Sequence, residues 1–170
     1  IGRYEPLDAK IAEADVLIAA NATLTLAAGA RLDITDGKAL TLSSTGNLVF
    51  EFDSEIAPLP NACVGQIHVS AQAGFALENG FTLIVNDAFH PQSVITVELI
   101  KSDEGALFRY LGLTKDKITI LRENGETYEG DWDLILDDSG LSIVFAHMPE
   151  PAASTLLLGL LCLARRARRR

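Results

Sequence analysis

Pairs of apolar residues, each pair split by one intervening residue, recur along the first half of the chain at intervals of eight residues. The first five pairs are Val16/Ile18, Leu24/Leu26, Leu32/Ile34, Leu40/Leu42 and Leu48/Phe50. After a stretch that contains Pro58 and Pro60, the rhythm returns with Ile67/Val69, Phe75/Leu77 and Leu83/Val85. Alternation with a period of two over a few residues is typical of a β-strand with one buried face. The sequence therefore predicts an all-β body built from many short strands.

Two architectures fit short strands at this spacing. Tight antiparallel hairpins favour Asn-Gly or Asp-Gly between strands, and among the early joints only Asp36-Gly37 has that form. Three steps of eight residues would instead make a rung of roughly 24 residues, stacked on the next rung through parallel strands. We expect a right-handed parallel β-solenoid over residues 1–101, and an antiparallel β-sandwich stays open as the alternative.

The segment 102–147 has different signals. Residues 102–112 begin with Ser and two acids and end with Gly, which predicts one short helix. Two turn sequences, 123–125 and 137–140, lie between apolar runs and predict two β-hairpins. We expect these hairpins to cap the solenoid, with Trp132 and Phe145 in the core, because an uncovered last rung would expose strand edges.

The charge of the chain is divided unevenly. The formal net charge is −9, but five of the fourteen basic residues lie within the last six positions. Residues 1–149 carry 9 basic and 22 acidic groups, a net charge of −13. Such a body repels nucleic acid phosphates and anionic lipid, so we expect no nucleic acid partner.

The last 23 residues, Met148–Arg170, form a distinct tail. Pro149 and Pro151 separate it from the body, because proline does not continue a helix. Residues 152–164 lack charge and are rich in Leu, and as a helix they would reach about 20 Å, less than the hydrocarbon thickness of a bilayer. We expect this helix to enter a membrane while the terminal arginines stay on the cytoplasmic side. The residues expected to hold it there are Leu156, Leu157, Leu158, Leu160, Leu161, Arg165, Arg166, Arg168, Arg169 and Arg170.

The order of these features, Met-Pro-Glu-Pro, a Leu-rich run and an arginine cluster, closely resembles the PEP-CTERM sorting signal of bacterial exported proteins. The resemblance covers residues 148–170. It implies export, transient anchoring in the inner membrane, recognition of Pro149, Glu150 and Pro151 by a membrane-embedded exosortase, and release to the cell surface or extracellular matrix. More loosely, the body resembles the β-solenoid ends of autotransporter-like passenger proteins.

Catalytic and metal-binding constellations are not evident in the sequence. His68, His90 and His147 are far apart, and His68 should point outward from its strand into solvent. In the expected 24-residue register Asp33 lies beside Ala9 and Ala57, so no ladder of carboxylates forms for glycoside cleavage. We therefore expect no catalytic residue and no metal site.

The one cofactor that stays open is calcium. Asp131, Asp133 and the Asp137-Asp138-Ser139 turn supply oxygen ligands, although their spacing lacks a regular calcium-loop pattern. Acids in turns more often serve turn geometry.

Together these features predict an exported, structural or adhesive surface protein, not itself an enzyme, with exopolysaccharide or glycans as possible partners. The alternative is that residues 1–170 form the C-terminal stalk and the sorting signal of an enzyme, carbohydrate-active or other, whose catalytic domain lies upstream of Ile1. We also expect more of the same fold before Ile1.

Overall fold

The computed structural model describes residues 8–53, 63–77, 79–110 and 112–146. These residues form fourteen β-strands and one 3-10 helix, Lys115–Lys117, and they include no α-helix. The all-β class predicted from the sequence is confirmed. In chain order the strands are β1 (Asp8–Ile11), β2 (Val16–Ile18), β3 (Thr23–Leu26), β4 (Arg31–Ile34), β5 (Ala39–Leu42), β6 (Asn47–Phe52), β7 (Gln66–Val69), β8 (Gly74–Ala76), β9 (Phe81–Val85), β10 (Ile95–Ser102), β11 (Leu107–Arg109), β12 (Ile118–Arg122), β13 (Trp132–Asp137) and β14 (Gly140–Phe145).

Among β1–β12, strands that follow each other in the chain lie in different sheets, and each of β1–β9 pairs with the strand three places further on. Sheet A has the order β1-β4-β7-β10-β14-β13, sheet B has β11-β8-β5-β2, and sheet C has β12-β9-β6-β3. We call each set of three consecutive strands, one from every sheet, a layer, so that β1–β3 form layer 1 and β10–β12 form layer 4. All pairs among β1–β12 are parallel, so the antiparallel sandwich is wrong for this part of the chain.

The period-two alternation in the sequence produces the core. In sheet B, Leu40 and Phe75 lie side by side in adjacent strands, and both are buried. Their neighbours Thr41 and Ala76 point outward. Burying a Leu or Phe side chain contributes about 1.5–3 kcal/mol, which is why the apolar residue of each pair faces inward.

The 24-residue register is confirmed between layers 1 and 2 in sheets B and C, but it is wrong in sheet A and for the later layers, where Leu40 aligns with Phe75 and Val49 with Thr82. Leu17 aligns with Thr41 and Thr25 aligns with Val49, as the spacing predicts. Asp33, however, aligns with Lys10 on one side and His68 on the other. Ile11 aligns with Ile34, and Val16 aligns with Leu40. The corner between sheets A and B is therefore one residue shorter in layer 1 than in layer 2.

The second departure from the register comes from the connection 53–65, which lengthens the step between β4 and β7. His68 then stands 35 residues beyond Asp33, where an even 24-residue step would have placed Ala57. A long connection at a corner leaves the strands on both sides free to keep their pairing, because loop-closure entropy grows slowly with length.

The corner between sheets A and B is built in the same way in three layers. The amide of Lys38 donates to Thr35 O, that of Ala73 to Ser70 O, and that of Ala106 to Asp103 O, at 3.0 Å in each case. Such bonds from residue i+3 to residue i define β-turns. The corners also bond to each other, because Ser70 N–H donates to Ile34 O and Asp103 N–H donates to Val69 O, both at 2.9 Å.

This repeated corner explains why the short helix predicted at residues 102–112 is wrong. The segment 103–106 forms the turn of layer 4, with Gly105 at φ 83°, and β11 follows it. Leu107 and Arg109 pair in parallel with Gly74 and Ala76 of β8. An isolated helix of this length is marginal in water, whereas the edge of β8 offers hydrogen-bond partners.

One of the two predicted hairpins is confirmed in full. β13 and β14 pair antiparallel around the turn at 137–140, and β14 also pairs antiparallel with β10, so the hairpin extends sheet A beyond layer 4. At the other turn the chain reverses through a single antiparallel bridge between Leu121 and Thr127, without a second named strand. Phe145 is fully buried as expected, whereas Trp132 is only half-buried.

Candidate functional site

The sorting and anchoring residues predicted from the sequence lie outside the described residues. These are Pro149, Glu150, Pro151, Leu156, Leu157, Leu158, Leu160, Leu161, Arg165, Arg166, Arg168, Arg169 and Arg170, together with the expected helix 152–164. Within the described ranges, no helix has the length and apolar character needed to cross a bilayer. The sorting signal therefore stays a prediction.

The acids considered as calcium ligands lie in and beside the β13–β14 hairpin. Asp137 Oδ1 accepts the amide of Ser139 at 2.8 Å and also its hydroxyl, and these bonds lower the pKa of Asp137, the hydroxyl contributing most. Asp133 Oδ1 accepts the amide of Leu134 at 2.9 Å. Both side chains thus bond to neighbouring backbone in the manner usual for turn acids.

For the part of the chain that the structure describes, no set of three or more His, Cys, Asp and Glu side chains is arranged to hold a metal ion. Calcium binding stays a prediction that these geometries do not test.

The outer face of sheet A carries a cluster that the sequence analysis did not predict. His68, on β7, has Nδ1 3.0 Å from Asp33 Oδ1 and Nε2 3.0 Å from Asp103 Oδ1. Asp33 belongs to layer 2, and Asp103 follows β10 at the corner of layer 4. The imidazole therefore lies between carboxylates of the layers on both sides of its own, and its side chain is only 17% exposed. His68 does point outward, but it is not simply solvated.

Arg31 completes this cluster. Its Nε donates to Asp33 Oδ1 at 2.7 Å, and its Nη2 lies 2.7 Å from His68 Nδ1. Because a guanidinium only donates, the ring accepts this bond when Nδ1 carries no proton, and it then donates from Nε2 to Asp103. That hydrogen bond from His68 lowers the pKa of Asp103 and is the largest of its influences.

The chemistry open to this cluster is limited by its own contacts. A general base needs a nitrogen within hydrogen-bond reach of the substrate, and both ring nitrogens of His68 face groups of the protein. Two carboxylates that cleave a glycoside need a sugar or water between them, and here the imidazole occupies the space between Asp33 and Asp103. The cluster is therefore best suited to joining layers 2, 3 and 4.

A second feature lies on the outer face of sheet C, where a recess of about 410 Å³ opens between layers 2 and 3. We call it the sheet C recess. Its lining residues are Thr23, Ser44, Thr45, Gly46, Asn47, Leu48, Val49, Asn79, Gly80, Phe81, Thr82, Lys117 and Thr119.

The recess arises from a difference in corner length. Thr41 aligns with Ala76 and Val49 aligns with Thr82, so the corner of layer 3 is two residues shorter than that of layer 2. The longer corner of layer 2, residues 43–46, therefore projects beyond the shorter corner of layer 3 and forms one wall of the recess. The side-chain amide of Asn79 donates to Ser43 O at 2.9 Å and holds the two corners together.

The floor of the recess is backbone. Gly80 has φ 84°, and a Cβ built on it would lie 2.0 Å from Lys117 O, so no other residue fits without displacing a strand. The side chains around this floor are mainly hydroxyls and amides. Lys117 is the one charged residue of the lining, which includes no carboxylate.

Neither the His68 cluster nor the sheet C recess is visible in the sequence, and the reason is the same for both. Each depends on which residues of different layers lie side by side, and the register was predicted as an even step of 24 residues. An even step places Ala57 where His68 lies and gives all corners one length, so neither the cluster nor the recess is visible in it.

Comparison with known proteins gives no further assignment: no family model matches the chain, and no curated protein or solved structure matches it either.

Proposed function

We propose that this chain is part of an exported bacterial surface or matrix protein, with a structural or adhesive body and a removable sorting tail. The body would be a right-handed parallel β-solenoid, in which layers 1–4 are successive rungs. Support comes from the three sheets, in which each of β1–β9 pairs in parallel with the strand three places on. We propose a right-handed solenoid because connections between parallel strands of one sheet are almost always right-handed.

A structural role fits the chemistry of the described body. Its outward groups make bonds between layers, as in the cluster around His68, and leave no ring nitrogen of that residue for a substrate. A stack of parallel strands presents regularly repeated outward side chains, which suit contact with a repetitive partner such as exopolysaccharide or another glycan.

The sorting tail is the observation that carries the proposal. Pro149-Glu150-Pro151, the uncharged run 152–164 and the terminal arginines follow each other directly after the body, in which the last described strand ends at Phe145. In this proposal the arginines remain in the cytoplasm, the run holds the protein in the inner membrane, and an exosortase acts at Pro149-Glu150-Pro151. Release then places the body at the cell surface or in the extracellular matrix.

The test replaces Pro149, Glu150 and Pro151 with alanine and follows the protein by cell fractionation in a host that has an exosortase. We expect uncut protein to accumulate in the inner membrane, because the processing motif is lost while the apolar run and arginines remain. The matched control replaces three exposed acids of the body, Glu123, Glu126 and Glu129, with alanine and should be released normally. Normal release of the motif variant would contradict the proposal.

A further inference from the structure

We propose that the sheet C recess binds an uncharged, hydroxyl-rich ligand, namely a few sugar units of a neutral glycan. This inference rests on the proposed function, because it assigns one place on a matrix-facing protein to a class of ligand. It is carried by the shape of the recess, by the chemistry of its lining and by the contrast in charge between the recess and the rest of the body.

The charge contrast is the first argument. Residues 1–149 carry a net charge of −13, yet the lining of the recess holds no carboxylate: beside the apolar Leu48, Val49 and Phe81 it has hydroxyls, amides and the single ammonium of Lys117. Glycans rich in carboxylates are disfavoured by the field of so acidic a body. A neutral glycan meets no such repulsion, and Lys117 can donate hydrogen bonds to its oxygens.

The spacing of the polar groups is the second argument. Thr82 and Thr119 are register partners on adjacent strands and both face outward. Thr23 and Asn47 are register partners on the two strands at the other side of the recess. Thr82 aligns with Val49 of β6, so the polar side chains change from the row of Thr23 and Asn47 to the next outward row across the recess. Adjacent strands lie about 4.8 Å apart, so a chain laid obliquely across the sheet meets a polar side chain on each of the four strands. Hydroxyls and amides both donate and accept, as do the hydroxyl groups of a sugar.

Rigidity is the third argument. The floor at Gly80 is fixed by its close approach to Lys117 O, and the wall at 43–46 is held by the bond from Asn79 to Ser43 O. Binding then orders few protein groups, which keeps the entropic cost of association low. The lining offers little apolar surface to a hydrophobic peptide, because Leu48 and Phe81 are buried in the core and only Val49 is a partly exposed apolar side chain.

The experiment uses the full chain, labelled with 15N, and a set of neutral hexasaccharides: β-1,4-glucan, β-1,3-glucan, α-1,4-glucan and β-1,4-mannan. We expect at least one of them to shift the amide resonances around Asn47, Thr82, Lys117 and Thr119, with little dependence on salt. Absence of these shifts with all four sugars would overturn the proposal, and so would stronger binding of hexagalacturonate than of every neutral sugar.

Two variants test the role of the hydroxyls. Thr82→Val and Thr119→Val remove one hydroxyl each at nearly constant size, and each should weaken binding about five-fold, the effect of one hydrogen bond. The matched control is Thr41→Val, an exposed Thr on the outer face of sheet B, which should leave binding unchanged. Equal loss with the control, or no loss with Thr82→Val and Thr119→Val, would overturn the site.

This test and the test of the sorting tail fail independently. Sugar binding is measured on purified protein and does not require processing, whereas release from the membrane does not require the recess. Normal sorting without sugar binding would refute the site alone, and sugar binding without sorting would refute the proposed route to the surface.

Discussion

The two ends of the stack differ in how their apolar interior is covered. At the end formed by layer 1, among the described residues, β1, β2 and β3 each pair on one side only, and the inward side chains Val16, Ile18 and Leu24 are half-buried. At the other end, β14 and β13 continue sheet A past layer 4, and Phe145 is completely buried. Ile11 and Leu26 of layer 1 are nevertheless only 8% and 7% exposed, so the uncovered end leaves its interior partly, not uniformly, exposed.

Aromatic side chains make this second end compact. The ring of Phe145 lies 4.9 Å from Phe89 and 5.3 Å from Tyr128, and both contacts are edge-to-face. Phe52 and Phe89 are also edge-to-face, at 5.0 Å. Aromatic pairs at such distances contribute about 0.5–1.5 kcal/mol beyond the area that they bury. The hairpin therefore closes the stack through a cluster that also involves residues of layers 2 and 3.

The largest effect should separate these two ends. Phe145→Ala removes a buried ring, so we expect the free energy of unfolding to fall by about 3–5 kcal/mol. The matched variant Val16→Ala, at the half-buried end, should cost about 1 kcal/mol or less, because little of the removed surface was buried. Urea unfolding of both variants measures the difference, and equal losses would contradict the comparison.

A second, smaller effect concerns how closely adjacent layers approach. Gly80→Ala should cost more than 2 kcal/mol, because the new Cβ would lie 2.0 Å from Lys117 O of the next layer and one strand must move. Gly125→Ala is the matched control, since Gly125 has nearly the same φ, 86°, but no atom within 4 Å of the Cβ position. The control should lose only the conformational cost, about 1–2 kcal/mol. Denaturant unfolding that ranks the two variants in the opposite order would contradict this account.

The smallest effect is the pH dependence contributed by Asp103, the carboxylate that joins layer 4 to layer 3. Its pKa is lowered in the folded protein, above all by the hydrogen bond from His68. The stabilisation is therefore present above the unfolded pKa of about 3.9 and is lost as the pH falls through the folded value. In urea unfolding, Asp103→Asn should be less stable than the natural chain at pH 7, and the two should converge at strongly acidic pH.

The control for Asp103 lies at the layer 1 end. Asp36→Asn removes an exposed ion pair in which Lys10 Nζ lies 3.6 Å from Asp36 Oδ2. At pH 7 its effect on stability should stay within about 0.5 kcal/mol, because exposed ion pairs contribute little. A loss at Asp103 no greater than that at Asp36 would show that the bond to His68 does not hold the layers together.

Local signals in the sequence predicted the strands well, because burial enforces alternation in each of them. The pairs Leu40/Leu42 and Leu48/Phe50 lie in β5 and β6 as expected. Ser102 and the acids after it misled the prediction, since a Ser followed by acids and a Gly is favourable both at a helix start and in a turn. The outcome there was decided by the edge of β8, which is distant in the sequence.

The candidate sites were harder to predict because they depend on which residues of adjacent strands lie side by side. His68 meets Asp33 and Asp103 through steps of 35 residues, and these depend on the length of two corner connections. The sheet C recess depends on a difference of two residues between the corners of layers 2 and 3. Corners of different length change the sequence distance between paired residues, so a regular repeat describes the strands better than it describes the contacts between them.

Three connections of nine or more residues, 53–65, 86–94 and 123–131, each join a strand of sheet C to a strand of sheet A. Doubling the length of such a connection costs only about 0.6 kcal/mol in loop closure, and the ladders on both sides keep their pairing. The corner between these two sheets is therefore where the chain can accept insertions, such as a peptide tag or a small guest domain, without renumbering the neighbours within each sheet.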